Sequence, residues 1–380
     1  MSAVDPISAH RMLRGKIRTT LPVDALDREI LSLLYTPGVA EVAKLCAQNP
    51  DDTFIYTRRW NTVAVVSDGS AVLGLGDIGP YGALPVMEGK ALLFKAFADL
   101  DAFPICLAVS GEEEIVSIVK SLEPSFGGIN LEDIAAPKCF RVLEKLSKEM
   151  NIPVFHDDQQ GTAVVVAAAF LNALKLSGKR IDEVKVVVNG VGAAGYNIVK
   201  ILLDLGVKCV VAVDRNGILN RKEENTWLHE YHREIAFLTN PEGESGGLEE
   251  ALKGADFFIG VSRGNVLKPE WIKRMNKNPV IFALANPVPE IDPKLAEEAG
   301  AFIVATGRSD YPNQVNNLLA FPGIMKGAVE RQAKITKEML LAAVEAIAGS
   351  CEPEPKRIVP EAFDKRVHTN VYLAVKNACR

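Results

Sequence analysis

The chain lacks paired cysteines. Cys46, Cys106, Cys139, Cys209, Cys351 and Cys379 lie far apart, with no Cys-x-x-Cys spacing. That fits reduced, cytoplasmic thiols better than a disulfide framework. Basic charge is not in excess either: the formal net charge is -5, which gives no reason to expect nucleic acid as a partner. No apolar run is long enough for a membrane span. The longest, from Ala163 to about Leu176, is interrupted by Asn172 and Lys175 and reads as a buried core helix. The opening MSAVDPISAHRMLRGK has no apolar centre of a secretory signal, and there is no internal repeat or low-complexity tract.

What is present is ordinary globular composition, 48% hydrophobic and 24% charged, over 380 residues, which is too long for one simple core. We expect an α/β protein of two domains. Residues 1–158 read as mixed α/β. Residues 159–380 read as a Rossmann-like parallel-sheet nucleotide-binding domain with a C-terminal helical tail. In the first part, Asp27 to Cys46 looks helical with a break at Tyr35–Gly38. Thr62–Ser67 and Ala71–Leu75 look like strands of a hairpin turning at Asp68-Gly69. Beyond Gly161, short apolar runs alternate with helices, as in a covered parallel sheet. The charged stretch Arg221–Gly247 reads as a surface excursion, and the tail from Phe321 as helices able to pack back on the first domain.

Two acidic pairs flank a helical stretch: Glu132-Asp133 in GGINLEDI and Asp157-Asp158 in VFHDDQQGTA. Four carboxylates brought together repel unless a divalent cation sits among them. Oxygen donors without cysteine suit Mg²⁺ or Mn²⁺ rather than zinc. A plainer role exists for each pair. Asn130 with Asp133 would make a capping box, and acids before Gly161 would favour a helix N-terminus. Both pairs follow a strand or glycine turn, and such strand ends converge on one crevice in open α/β domains.

Gly190-Val191-Gly192-Ala193-Ala194-Gly195 follows the apolar run VKVVV and opens an amphipathic helix. The next strand ends in Asp214, about 20 residues on, where a dinucleotide fingerprint places its ribose acid. Asp214 favours NAD, because a carboxylate repels a 2′-phosphate. Arg215 next to it leaves NADP open. A metal beside a dinucleotide suggests redox chemistry on a small oxygenated acid.

Lys90 shares a helical face with Met87, Leu93, Phe94 and Phe97. Such a lysine usually snorkels to water; buried, its pKa would fall far enough for it to act as a base. Tyr35 precedes Thr36, a candidate N-cap, and Pro37, a suitable first helical residue. It is either a packing residue or a phenol near a positive helix end.

The motifs YTPGVA, LGLGDIGP, EGKALLFKAF, FGGINLEDI, FHDDQQGTA, FALANPVPE and ATGRSDYPNQVNNLLAFPGI together resemble the malic enzymes, and among them the short, mostly NAD-linked bacterial ones. The resemblance covers nearly the whole chain in the same order. It implies a malic domain followed by a nucleotide-binding domain, and oxidative decarboxylation of (S)-malate to pyruvate and CO₂. It implies Tyr35 as general acid and Lys90 as general base. Glu132, Asp133 and Asp158 become metal ligands, with Asp157 behind them. Asn286 and Asn317 contact substrate or nicotinamide, and the assembly is at least a dimer. Larger eukaryotic members carry an Arg soon after the DG pair that binds a substrate carboxylate; Ala71 stands there here. Alternatives are a metal-dependent oxaloacetate decarboxylase and a nucleotide-sensing module with a silent site.

Overall fold

Strands rich in β-branched residues build two parallel sheets among the described residues. In the first, β1 (Thr62–Ser67), β2 (Asp101–Cys106), β3 (Gly128–Leu131) and β4 (Val154–His156) lie in the order β2-β1-β3-β4. In the second, β5 (Lys185–Asn189), β6 (Cys209–Asp214), β7 (Gly217–Ile218), β8 (Phe257–Gly260), β9 (Val280–Ala283) and β10 (Ile303–Thr306) lie in the order β10-β9-β8-β5-β6-β7. All pairings are parallel except β6 with β7. β1, β3, β4 and β8 to β10 are buried along their whole length, which requires cover on both faces. The protein is therefore a two-domain α/β fold with a Rossmann-like second sheet. The computed structural model describes residues 5–24, 26–72, 74–223 and 227–379.

Each sheet reverses its strand order once. β2 lies on one side of β1 and β3 on the other; β6 lies on one side of β5 and β8 on the other. Crevices form outside the carboxyl ends of strands at such reversals, so residues after β1 and β3, and after β5 and β8, are placed for ligands. Glu132 follows β3 and Gly190 follows β5.

The expected hairpin at Asp68-Gly69 does not form. β1 is bonded on both edges by parallel neighbours, which leaves no edge for an antiparallel return. The chain instead turns through a glycine-rich loop that reaches the Gly79–Ala98 helix, with an isolated bridge between Val72 and Gly76. The Asp68 carboxylate ties that turn by accepting from the Ser70 N–H at 3.1 Å and its hydroxyl at 2.6 Å.

The Thr162–Ser177 helix is buried nearly all round, as its composition suggested, and packs between the helices Ala193–Asp204 and Lys337–Ala348. The C-terminal helices Phe321–Arg331 and Lys365–Ala378 lie against the Lys90 helix, Gly79–Ala98. Phe321 meets Phe94 edge-on at 4.8 Å, both rings fully buried. Truncating either to Ala would cost about 3–5 kcal/mol. The stretch Arg221–Gly247 is only partly a surface excursion. It contains the Glu230–Leu238 helix, whose His232, Ile235 and Ala236 are buried.

Candidate active site

The two acidic pairs meet. Oxygens of Glu132, Asp133 and Asp158 all lie within 4.8 Å of one another. The capping explanation for Glu132-Asp133 fails, because Asn130 lies inside β3 and turns its amide to Glu132 Oε2 at 2.8 Å. The next helix begins only at Lys138. Asp133 holds a left-handed backbone, φ 53°, an arrangement that non-glycine residues adopt where surroundings enforce it. Here its N–H donates to Asp158 Oδ2 at 2.9 Å and its carbonyl accepts from Ala71 N–H at 3.0 Å. Asp157 and Asp158 open a single π turn, Asp157–Gly161, between β4 and the buried helix. That one wide turn holds Asp157 inside while Asp158 keeps 34% of its side chain open to the crevice.

Lys90 enters the same cluster from its helix. Its Nζ lies 2.5 Å from Asp157 Oδ2 and 3.1 Å from Glu132 Oε1, and it is 4.2 Å from the centre of the Phe321 ring. Asp157 is fully buried; its Oδ2 also accepts from the Asn317 amide, while its Oδ1 has no hydrogen-bond partner among the described residues. Burial alone would pull the Lys90 pKa down, as the sequence suggested, but the Asp157 and Glu132 carboxylates outweigh it and hold the ammonium. The lowered pKa expected from the sequence is thus reversed. Burial pushes Glu132 well above the usual carboxylate range, and crowding by Asp157, Asp158 and Asp133 adds to the push against Lys90. Burial raises Asp158 also, against the pull of Lys90. The neighbouring imidazole of His156, fully buried, is pushed down to about 3 and is neutral. Three hard oxygen donors, surplus negative charge and an unpartnered carboxylate oxygen beside them suit a divalent oxygen-loving cation.

The glycine turn sits at the strand reversal of the second sheet. Gly190 has φ 99°, and a Cβ at Gly195 would stand 1.8 Å from the Gly190 carbonyl oxygen, so neither position accepts a side chain. Gly192 caps the Ala193–Asp204 helix, whose first turn contains Ala193, Ala194 and Gly195 with no acidic residue to compete for an anion. Asp214, at the end of β6, accepts from the Val191 N–H at 2.8 Å and from the Arg215 N–H at 2.7 Å. The Arg215 side chain is exposed. This turn and the acidic cluster are linked through Gln159, which donates to the Cys139 carbonyl at 3.1 Å and accepts from the Asn197 amide at 3.1 Å.

The other residues singled out in the sequence take the following places. Tyr35 ends the Arg28–Leu34 helix and is 65% exposed, outside the Lys90 cluster of this chain. Thr36 does not cap the following helix, which begins at Val39 after Gly38. Asn286 is exposed in the loop after β9, and the Gly74 backbone of the first-half loop closes on its carbonyl. Asn317 turns to Asp157 rather than only to open space. Ala71 stands two residues after Gly69, and Lys138, at the start of the Lys138–Glu149 helix, pairs with Asp68 and donates to the Ser110 carbonyl at 3.2 Å. Sequence reasoning gave Asp68 only a turn role and did not single out Gln159 or His232. Each acts on a partner about 20 to 70 residues away, and only the fold supplies that proximity.

Residues 14–114 and 110–147 match the malic enzyme N-terminal domain, and residues 159–377 match the malic enzyme NAD binding domain. The NAD-dependent malic enzyme of Geobacillus stearothermophilus is 53% identical over 96% of this chain and 76% of its own length. The bifunctional malic/malolactic enzyme of Bacillus subtilis is 50% identical over 98% of this chain and 92% of its own. The crystal structure of the NAD-dependent malic enzyme from Thermotoga maritima superimposes with a TM-score of 0.98 at 79% identity, covering 98% and 99% of the two chains. That of the Pyrococcus horikoshii malic enzyme gives 0.93 at 48% identity, covering 97% and 90%. With both halves matched, and with relatives 50% and 53% identical over nearly its whole length, the chain belongs to the malic enzyme family.

Proposed function

We propose that this chain oxidises and decarboxylates (S)-malate to pyruvate and CO₂, reduces NAD⁺ and depends on Mg²⁺ or Mn²⁺. The observation that carries this is the buried Lys90 ammonium set against Asp157 and Glu132, where carboxylate oxygens of Glu132, Asp133 and Asp158 lie within 4.8 Å of one another. A divalent cation bound to Glu132, Asp133 and Asp158 would polarise the C2 oxygen and draw off the negative charge that holds the Lys90 proton. Lys90 accepts the malate hydroxyl proton as hydride leaves C2. Asp157 aims the lysine, and Asn317 steadies Asp157. Asp214 receives the cofactor ribose, with the pyrophosphate at the Gly190–Gly195 turn. Asn286, whose carbonyl the Gly74 backbone approaches, would contact nicotinamide or substrate. Residues 1–158 act as the substrate and metal half and 159–380 as the nucleotide half, in a cytoplasmic enzyme.

Tyr35 protonates C3 of enolpyruvate, and we infer that it does so in a neighbouring copy. The helices Arg28–Leu34 and Val39–Gln48 bury no residue within one chain. Leu31, Leu33, Leu34, Tyr35, Val39 and Leu45 are all exposed there, an apolar face that water does not favour. A homodimer would cover it and carry the phenol to a Lys90 cluster.

Initial rates of NADH formation with malate and Mn²⁺, against NAD⁺ and NADP⁺ and with an EDTA control, test the proposal. Malate-dependent, EDTA-sensitive NADH production supports it. CO₂ release from oxaloacetate with no NADH from malate would make the protein a decarboxylase instead. Nucleotide binding with neither reaction would make it a sensing module.

A further inference from the structure

The Glu230–Leu238 helix puts one buried imidazole against the glycine turn. His232 is 2% exposed. Its Nδ1 lies 3.3 Å from the Leu228 N–H and so accepts, which leaves the hydrogen on Nε2, 3.1 Å from the Val191 carbonyl. Both nitrogens are thus used by a neutral ring, and burial holds the pKa below its ordinary value. The N–H of the same Val191 donates to Asp214 Oδ2. One residue of the turn is therefore gripped from two sides, by His232 through its carbonyl and by Asp214 through its amide. His232 Nε2 stands 3.8 Å from Asp214 Oδ2. The helix that carries the imidazole is itself fastened. Glu234 accepts from the Tyr196 hydroxyl at 2.6 Å and pairs with Lys200 at 3.1 Å.

This arrangement bears on which nucleotide the turn accepts. The charged or titratable groups facing His232 are Asp214, Arg215 and His229, whose ring lies 4.0 Å away and whose pKa burial pushes down to about 4. Two neutral imidazoles leave the Asp214 carboxylate without a cationic partner on the buried side. Its two backbone hydrogen bonds fix its direction. A ribose hydroxyl can donate to such a carboxylate, whereas a 2′-phosphate meets an immobile like charge.

We propose that His232 is a positioning residue that sets the preference for NAD over NADP, by locking the Val191 peptide and holding Asp214 fixed and uncompensated. The proposal rests on the Gly190–Gly195 turn being the nucleotide site. It is tested by NADH and NADPH binding, followed by fluorescence, and by steady-state kinetics on the full-length enzyme. In His232→Leu, the affinity for NADH should fall about three- to tenfold, the worth of one lost hydrogen bond. The ratio of kcat/KM for NAD to that for NADP should fall by a similar factor. kcat at saturating NAD and the KM for malate should stay near wild type. His232→Gln, which keeps an N–H for the Val191 carbonyl and cannot charge, should restore the ratio. If His232→Leu does not fold, His232→Asn, too short to reach that carbonyl, carries the same expectation. An unchanged nucleotide ratio in these variants overturns the proposal, as does a loss of kcat and malate affinity equal to the loss for NAD. Asp214→Asn separates the underlying premise. If neither Asp214→Asn nor His232→Leu alters NADH binding, the turn is not the nucleotide site. If only Asp214→Asn does, the turn binds nucleotide and His232 has no part in it.

Discussion

The Nζ of Lys90 and the Oδ2 of Asp157 lie 2.5 Å apart, in a pair that is 10% and 0% exposed on its two side chains. One ammonium faces the carboxylates of Glu132, Asp133, Asp157 and Asp158, so the cluster carries more acid than base. A buried surplus of that kind is costly unless a cation balances it. The pair also explains how a lysine can be held in place without being neutral beforehand. Its proton is secured by Asp157 and Glu132, and its basicity depends on how much of their charge is engaged elsewhere.

Replacing Lys90 by Met should therefore lower kcat by about 10²- to 10⁴-fold, the range for loss of a positioned base. NADH binding should be nearly unchanged, because the glycine turn proposed for the nucleotide lies after β5 on the other sheet. Stopped-flow or steady-state rates beside NADH fluorescence would check this. Near-normal turnover in Lys90→Met would remove Lys90 from the proposed role.

Mn²⁺ should stabilise the folded protein. At a free concentration one hundred times its Kd, linkage predicts about 2.7 kcal/mol and a rise in Tm. Asp158→Asn should lose most of that rise, and EDTA should abolish NADH formation while leaving NADH binding intact. Equal Tm shifts with Mn²⁺ in wild type and Asp158→Asn would mean that the ion binds elsewhere.

Tyr35 and Lys90 can be tested for sharing between copies. Tyr35→Phe and Lys90→Ala should each be nearly inactive. Mixed and allowed to exchange subunits, they should recover about a quarter of wild-type activity, since half the dimers are mixed and each has one intact site. No recovery despite demonstrated exchange would place both groups in one chain.

Acid should weaken the fold partly through His368. It is 2% exposed, with Nε2 2.8 Å from the Ala362 carbonyl and its ring 4.4 Å from that of Phe97. Burial lowers its pKa below the ordinary 6.5, against smaller opposing pulls from Ala362 and Asp364. Below pH 6.5 the unfolded chain binds a proton there that the folded chain resists, so stability falls as pH drops through that window. His368→Gln keeps a donor for Ala362 and removes the titration. Its Tm should decline less than wild type between pH 7 and 5; a parallel decline would exclude His368 as a contributor.

Much of this was legible before any coordinates. Short strands such as Cys209–Asp214 are marked by valine-rich apolar runs, and the Gly190–Gly195 turn by glycine spacing, because both are local. The acidic pairs were legible as electrostatics, since four carboxylates near glycine turns need an explanation. The failures share another physics. Asp68-Gly69 has hairpin chemistry, but the occupied edges of β1 decided the outcome, and edge occupancy is set by strands that come later. Arg221–Gly247 looked like surface because of its many charges, while His232, Ile235, Ala236, Thr239 and Asn240 of its described residues are buried. Lys90 was expected to be a depressed lysine because burial was visible in its helical face. Its two counter-charges come from residues 42 and 67 positions downstream, and their sum reversed the sign.

Asn317 and Phe321 close on a cluster whose other members were all translated long before them; Asn317 lies 160 positions beyond the Asp157 it bonds. A chain emerging from the ribosome therefore carries its acids and its lysine without the amide and the aromatic ring that seat them. Competence arrives late, with the segment that folds back from the far end, and a fragment stopped short of it would hold the cage but not the aim.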